Sequence, residues 1–121
     1  MSDLKYVRLF AGPDGESHFE DLDVQFSSST ATPPTPQLGV SEWQLAERIR
    51  FVRFPPGWRN EYRAPILLVL SGTVGIQTSD GEVRFFQETD ALLAEDTTGK
   101  GHTTWNHSDD TAVAAMIQLR D

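Results

Sequence analysis

The chain has 121 residues, a length that fits one domain around one hydrophobic core and makes a second domain unexpected. Its 18 acidic residues against 10 basic ones give a formal net charge of −8, which opposes a phosphate-backbone partner and sets nucleic acid aside. Without cysteine there is no disulfide framework, thiolate metal site or catalytic thiol, so any metal would be held by His, Asp, Glu or water.

The N-terminal residues Met1-Ser2-Asp3-Leu4-Lys5 show no basic segment leading into an apolar run, and the longest apolar stretch, Ile66 to Leu70, is far too short to span a bilayer. The expectation is a cytoplasmic protein with no membrane partner. Tyr6 to Phe10 reads as a strand and Gly12-Pro13-Asp14-Gly15 as a turn. Phe19, Leu22, Val24 and Phe26 then read as the return strand of a hairpin. From Ser27 to Gly39 the composition changes to Ser, Thr and Pro. Pro33-Pro34-Thr35-Pro36 cannot join a central ladder and favours extended backbone, so this stretch is an arm or a loop. Residues 41–47 suit one helical turn and the start of the next strand equally.

From Arg48 onward, short β-patterned runs alternate with turn residues at intervals of roughly 8–12 residues, the mark of a sandwich or barrel. Arg48 to Phe54 alternates apolar residues with Arg and ends at Pro55-Pro56-Gly57. Ile66 to Leu70 is apolar without alternation, which predicts a central strand covered on both faces. Val74 and Ile76, then Ser79-Asp80-Gly81, then Val83 and Phe85 form a hairpin whose Asp-Gly suits a type I′ turn. Ala91 to Ala94, His102 to Asn106 and Ala112 to Leu119 supply three more strands, and no internal repeat or heptad pattern competes. An all-β chain with this many short strands manages its edges by closing into a barrel or a double-sheet jelly roll.

Pro56-Gly57, the closing Ile66 to Leu70 with Ser71-Gly72, Thr89-Asp90, and Gly99-Lys100-Gly101-His102 with Asn106 together resemble the two sequence motifs of the cupin domain. The resemblance spans Pro55 to Leu119 and implies a cupin-type jelly-roll β-barrel. An N-terminal hairpin and Pro-rich arm (residues 1–40) would pack on a barrel of residues 41–121. The family's first motif carries a His-x-His and a later Glu, whereas this chain has Trp58, Arg59, Asn60, Glu61, Tyr62, Arg63 and Pro65 there. Of the family's metal ligands only His102 is carried over, so the usual three-His-one-Glu site cannot form. His102, Glu61 and His18 would restore a two-His-one-carboxylate set. The expectation is a site without metal, with one Fe, Mn, Zn, Ni or Cu ion as the alternative.

On a strand, His102, Thr104 and Asn106 share one face while Thr103, Trp105 and His107 share the other, and the resemblance turns the His102 face into the barrel. His102 is therefore the leading catalytic candidate, with Glu61 or Asp96 as its carboxylate partner. Such a partner fixes the imidazole tautomer for acid–base work. The competing reading is a buried neutral His satisfied by backbone, with Asp96, Thr97 and Thr98 merely organising a turn. Arg59 and Arg63 stand where a guanidinium fork could take a carboxylate, or could pair with Glu61 and other surface acids. Trp58, Tyr62 and Trp105 either line a ligand pocket or lie buried in the core or an interface. Gly99-Lys100-Gly101 is not a Walker loop, and no Gly-x-Ser-x-Gly is present. The residues thus point to a small-molecule enzyme of isomerase, epimerase or lyase type, with a non-catalytic binding or sensing barrel as the alternative. The resemblance further implies a homodimer paired through sheet edges and N-terminal arms.

Overall fold

The computed structural model describes residues 4–28, 34, 36–63 and 65–119. All regular structure among them is β: β1 (Lys5–Ala11), β2 (Ser17–Asp23), β3 (Ser27–Ser28), β4 (Gly39–Val40), β5 (Ala46–Phe54), β6 (Arg59–Tyr62), β7 (Ile66–Ser71), β8 (Val74–Thr78), β9 (Val83–Phe86), β10 (Ala91–Ala94), β11 (His102–Asn106) and β12 (Ala112–Leu119). A six-stranded sheet runs β2-β1-β10-β7-β12-β5 and a four-stranded sheet runs β6-β11-β8-β9, with β3 and β4 paired on their own. No helix among the described residues is long and apolar enough to cross a membrane.

The sheets do not close into the barrel expected from the sequence: among the described residues no ladder joins the edge strands β2 and β5 to β6 or β9. Proline explains part of this. Pro55-Pro56 separates β5 from β6 and Pro65 separates β6 from β7, so the chain changes sheet at points where a residue has no N–H to donate. The two sheets nevertheless share one core. Leu9, Leu67, Val69, Leu92 and Ala114 from the larger sheet meet Val74, Ile76 and Phe86 from the smaller. Each fully buried large side chain of this kind contributes about 1.5–3 kcal/mol.

The N-terminal hairpin forms as expected, with Tyr6 opposite Leu22 and Phe10 opposite His18. It belongs to the larger sheet, because β1 also pairs in parallel with β10, Val7 opposite Leu92 and Leu9 opposite Ala94. Of the Pro-rich arm, residues 29–33 and 35 lie outside the described residues; its two ends meet where Ser27 pairs with Val40 and Ser28 with Gly39. Residues 41–45 take no regular structure and β5 begins at Ala46.

Two local expectations need correction. β7 is central in its sheet, between β10 and β12, and its inward Leu67 and Val69 are buried. Leu70, however, is 49% exposed and Ile66 and Leu68 are only half-buried, so the described residues cover this strand's outer face only in part. The β8–β9 turn is not type I′, which needs positive φ at two central residues. Here Gly81 alone is left-handed at φ 99°, and Gly81 N–H closes the turn on Thr78 O at 3.0 Å. Asp80 organises the rest, its Oδ1 accepting from Thr78 Oγ1 at 2.5 Å and from Glu82 N–H at 3.1 Å.

Candidate active site

Between β10 and β11 the chain leaves the larger sheet and enters the smaller one, and this crossing carries both members of a buried pair. Asp96 is wholly buried and His102, the first residue of β11, is 6% exposed. His102 Nδ1 lies 2.6 Å from Asp96 Oδ2. A carboxylate oxygen accepts, so Nδ1 carries the proton and Nε2 is left to accept or deliver one. Among the described residues Nε2 has no hydrogen-bond partner.

The crossing is held rigidly. Gly99 and Gly101 both have positive φ, at 77° and 73°. A Cβ on Gly101 would stand 2.5 Å from Tyr62 O and one on Gly99 2.7 Å from Gly15 O, so neither position accepts a side chain. Lys100 N–H donates to Gly15 O at 3.1 Å and its ammonium pairs with Glu16. That contact raises the Lys100 pKa and lowers that of Glu16. The residue just before His102 is fastened by Ser17, whose hydroxyl donates to Gly101 O at 2.7 Å. Ser17 N–H in turn donates to Ser79 Oγ at 2.6 Å. Ser17 and Ser79 escaped the sequence reading. Serines before a His and in a turn look like solvated loop residues, and only the burial of Ser17 distinguishes it.

The other expected site residues divide between the two faces of the smaller sheet. Register sets Tyr62 opposite His102 and Glu61 opposite Thr103, so Glu61 lies on the outer face, away from the imidazole. Glu61 is therefore not the partner of His102. It borders an open polar cleft of about 370 Å³ that Lys100, Gly101 and His102 also border. Arg59 and Trp105 are likewise on the outer face, with the guanidinium 4.7 Å above the indole ring, so Trp105 does not line the space beside His102. Trp58 and Tyr62 face inward, stacked at 5.8 Å with 27° between planes, and Trp58 also packs on Phe54 at 4.7 Å. Tyr62, Leu67, Ile76 and Met116 enclose the interior beside His102, leaving only about 10 Å³ for the centre of a water molecule. Arg63 directs its fork at the protein itself, donating from Nε and Nη2 to Gly99 O at 2.9 and 2.7 Å. Asn106 is spent on backbone, donating to Phe54 O and Asp110 O.

His18 stands apart, on β2 near the hairpin turns. Its Nε2 lies 3.1 Å from Asp14 Oδ1 and its Nδ1 2.9 Å from Asp80 Oδ2. The Asp14 contact first, then the Asp80 contact, raise its pKa above the ordinary imidazole range. His102, Glu61 and His18 are thus not gathered at one point, and no three His, Asp or Glu among the described residues form a metal-holding group. The alternative ligand set of His102, Glu61 and His18 therefore has no common point at which to hold an ion.

No family model and no curated protein sequence matches the chain.

Proposed function

We propose that the chain is a small-molecule enzyme on a cupin-like jelly-roll scaffold, in which His102 moves a proton and Asp96 orients it. The observation that carries this reading is the buried 2.6 Å contact between His102 Nδ1 and Asp96 Oδ2, with Nε2 left without a protein partner among the described residues. A carboxylate behind an imidazole holds one tautomer and stabilises the imidazolium that forms when Nε2 accepts a proton. The fitting reaction takes the proton from a carbon beside a carbonyl to Nε2 and leaves the electron pair as an enolate. Return of the proton completes an isomerisation or epimerisation, and loss of a β-leaving group completes an elimination. A substrate would approach the imidazole from the inner face, because the polar cleft of about 370 Å³ is bordered by Glu61, Gln77 and Thr103 of the outer face. Arg59 lies over Trp105 on that outer face and Arg63 supports the Gly99 bend, so neither guanidinium is assigned to hold the substrate. The cupin-like assignment is supported by the two sheets sharing one core and by the inward, buried placement of His102.

The test is deuterium incorporation, followed by NMR, into a panel of small hydroxy- and keto-acids in D₂O. Exchange beside the carbonyl is expected with the native chain and should fall about 10²–10⁴-fold in His102→Gln. The second reading, a non-catalytic binding or sensing protein, draws on the narrow interior beside His102. Ligand binding with no exchange at any pH would establish it in place of the first. Elemental analysis of the purified chain separates both from metal-dependent chemistry, which requires near-stoichiometric Fe, Mn, Zn, Ni or Cu.

A further inference from the structure

Every residue from Pro36 to Phe51 is exposed, although this run carries Leu38, Val40, Trp43, Leu45, Ile49 and Phe51. Scattered exposed apolar residues are ordinary, but a contiguous apolar patch marks a binding surface. This patch is contiguous. On the outer face of the larger sheet, Phe51, Ala115, Leu68 and Ala91 lie side by side across four strands, Phe51 exposed, Leu68 and Ala91 half-buried and the small Ala115 buried between its neighbours. The neighbouring row is Ile49, Ile117, Ile66 and Leu93. Beside these rows runs a groove of about 340 Å³, bounded by Glu42 and Gln44 on one side and Tyr6 and Ile66 on the other. Trp43, between the two groove residues in sequence, is 95% exposed.

We propose that this face, from β5 across β12 and β7 with Trp43 at its rim, is where a second copy of the chain docks. The area supports it. Trp43 and Phe51 are 95% and 72% exposed, and side chains of their kind cover about 150–250 Å² each. With Ile49, Leu45 and the two rows, the apolar surface reaches roughly 500–800 Å², close to the ~800 Å² per partner of a standard interface. A twofold places the same patch on both copies, so the patch must suit itself. A broad apolar sheet face does, since such faces stack about 10 Å apart. Arg53 shares the outer face of β5 with Ile49 and Phe51, and Glu42 borders the groove, so the twofold can bring unlike charges together although each chain has a net charge of −8. The dimer expected from the sequence thereby acquires a specific surface, independent of any chemistry at His102.

Sedimentation equilibrium of the full chain at tens of micromolar should give twice the monomer mass. Trp43→Ser, at a side chain with almost no contacts in its own chain, should weaken the dimer by about 10-fold or more with unchanged melting of the monomer. Phe51→Glu should abolish it. Phe85→Ser, at an exposed aromatic on the outer face of the smaller sheet, should leave the dimer intact. A native chain that stays monomeric at this concentration, whatever else it captures, overturns the proposal. A dimer that Trp43→Ser leaves unchanged, or that Phe85→Ser weakens as much, overturns it equally.

Discussion

Asp96 exposes no surface, and its carboxylate meets His102 Nδ1 at 2.6 Å, so replacing it with Asn keeps the shape while removing the charge that accepts the proton. Hydrogen bonds to charged groups are worth about 1.5–3 kcal/mol. Asp96→Asn should therefore lower the unfolding free energy by that amount, read as a lower denaturant midpoint at unchanged m-value, and should also slow any exchange reaction that His102→Gln abolishes. A second residue carries strain. Thr89 adopts φ 76°, rare for a β-branched side chain, in a turn closed by Asp90 N–H to Gln87 O and Gln87 N–H to Asp90 Oδ2. Left-handed backbone costs an L-residue about 1–2 kcal/mol, and glycine gives back about 0.5–1 kcal/mol in unfolded-state entropy. Thr89→Gly should thus stabilise the fold by roughly 0.5–1 kcal/mol, and a drop in melting temperature would show that the threonine side chain makes a compensating contact. At this scale, strand period set His102 on one face with Thr104 and Asn106, and only the cupin resemblance turned that face inward. The same period could not show which side of β11 would receive Glu61, because that depends on the Tyr62–His102 register, a property of two strands together.

Among the elements, the bend from Gly99 to Gly101 and the hairpin turns that clasp it act together. Gly101→Ala would need both a left-handed alanine and room for a Cβ only 2.5 Å from Tyr62 O. Destabilisation well above the typical ~1 kcal/mol of a point substitution is expected, measured by thermal unfolding. The β1–β2 and β8–β9 turns are joined through His18, which sits between Asp14 and Asp80. The His18 pKa is raised, so its contribution is complete below the unfolded imidazole value and disappears as pH rises through the folded one. The Asp14 and Asp80 pKa values are lowered, by His18 in the first case and by Thr78 foremost in the second, so their contributions fade in acid as pH falls through those lowered values. The melting difference between the native chain and His18→Gln should therefore be largest in mildly acidic buffer and close toward alkaline pH. A constant difference would assign His18 a packing role only. The hairpins themselves were readable from Gly12-Pro13-Asp14-Gly15 and Ser79-Asp80-Gly81. The exact turn was not, since the Asp80 carboxylate replaces the backbone conformation that Asp-Gly usually supplies.

For the whole molecule, periodicity and turn residues identified an all-β chain, but they describe single strands and say little about how sheets are joined. The uninterrupted Ile66 to Leu70 run predicted cover on both faces, and among the described residues only the inner face is fully covered. The run carries a need for burial that the described residues do not meet on the outer face. The β1–β10 pairing was also invisible, because parallel neighbours leave no local turn signal. That ladder has a consequence during synthesis. Val7 pairs with Leu92, so the inner edge of β1 waits while roughly eighty further residues are added. At about 5–20 residues per second this lasts several seconds, during which the first hairpin offers an open, partly apolar edge to any nascent chain nearby. A chain stalled before residue 91 would never close that edge, so ribosome-released fragments of this length should aggregate while the full chain remains dispersed.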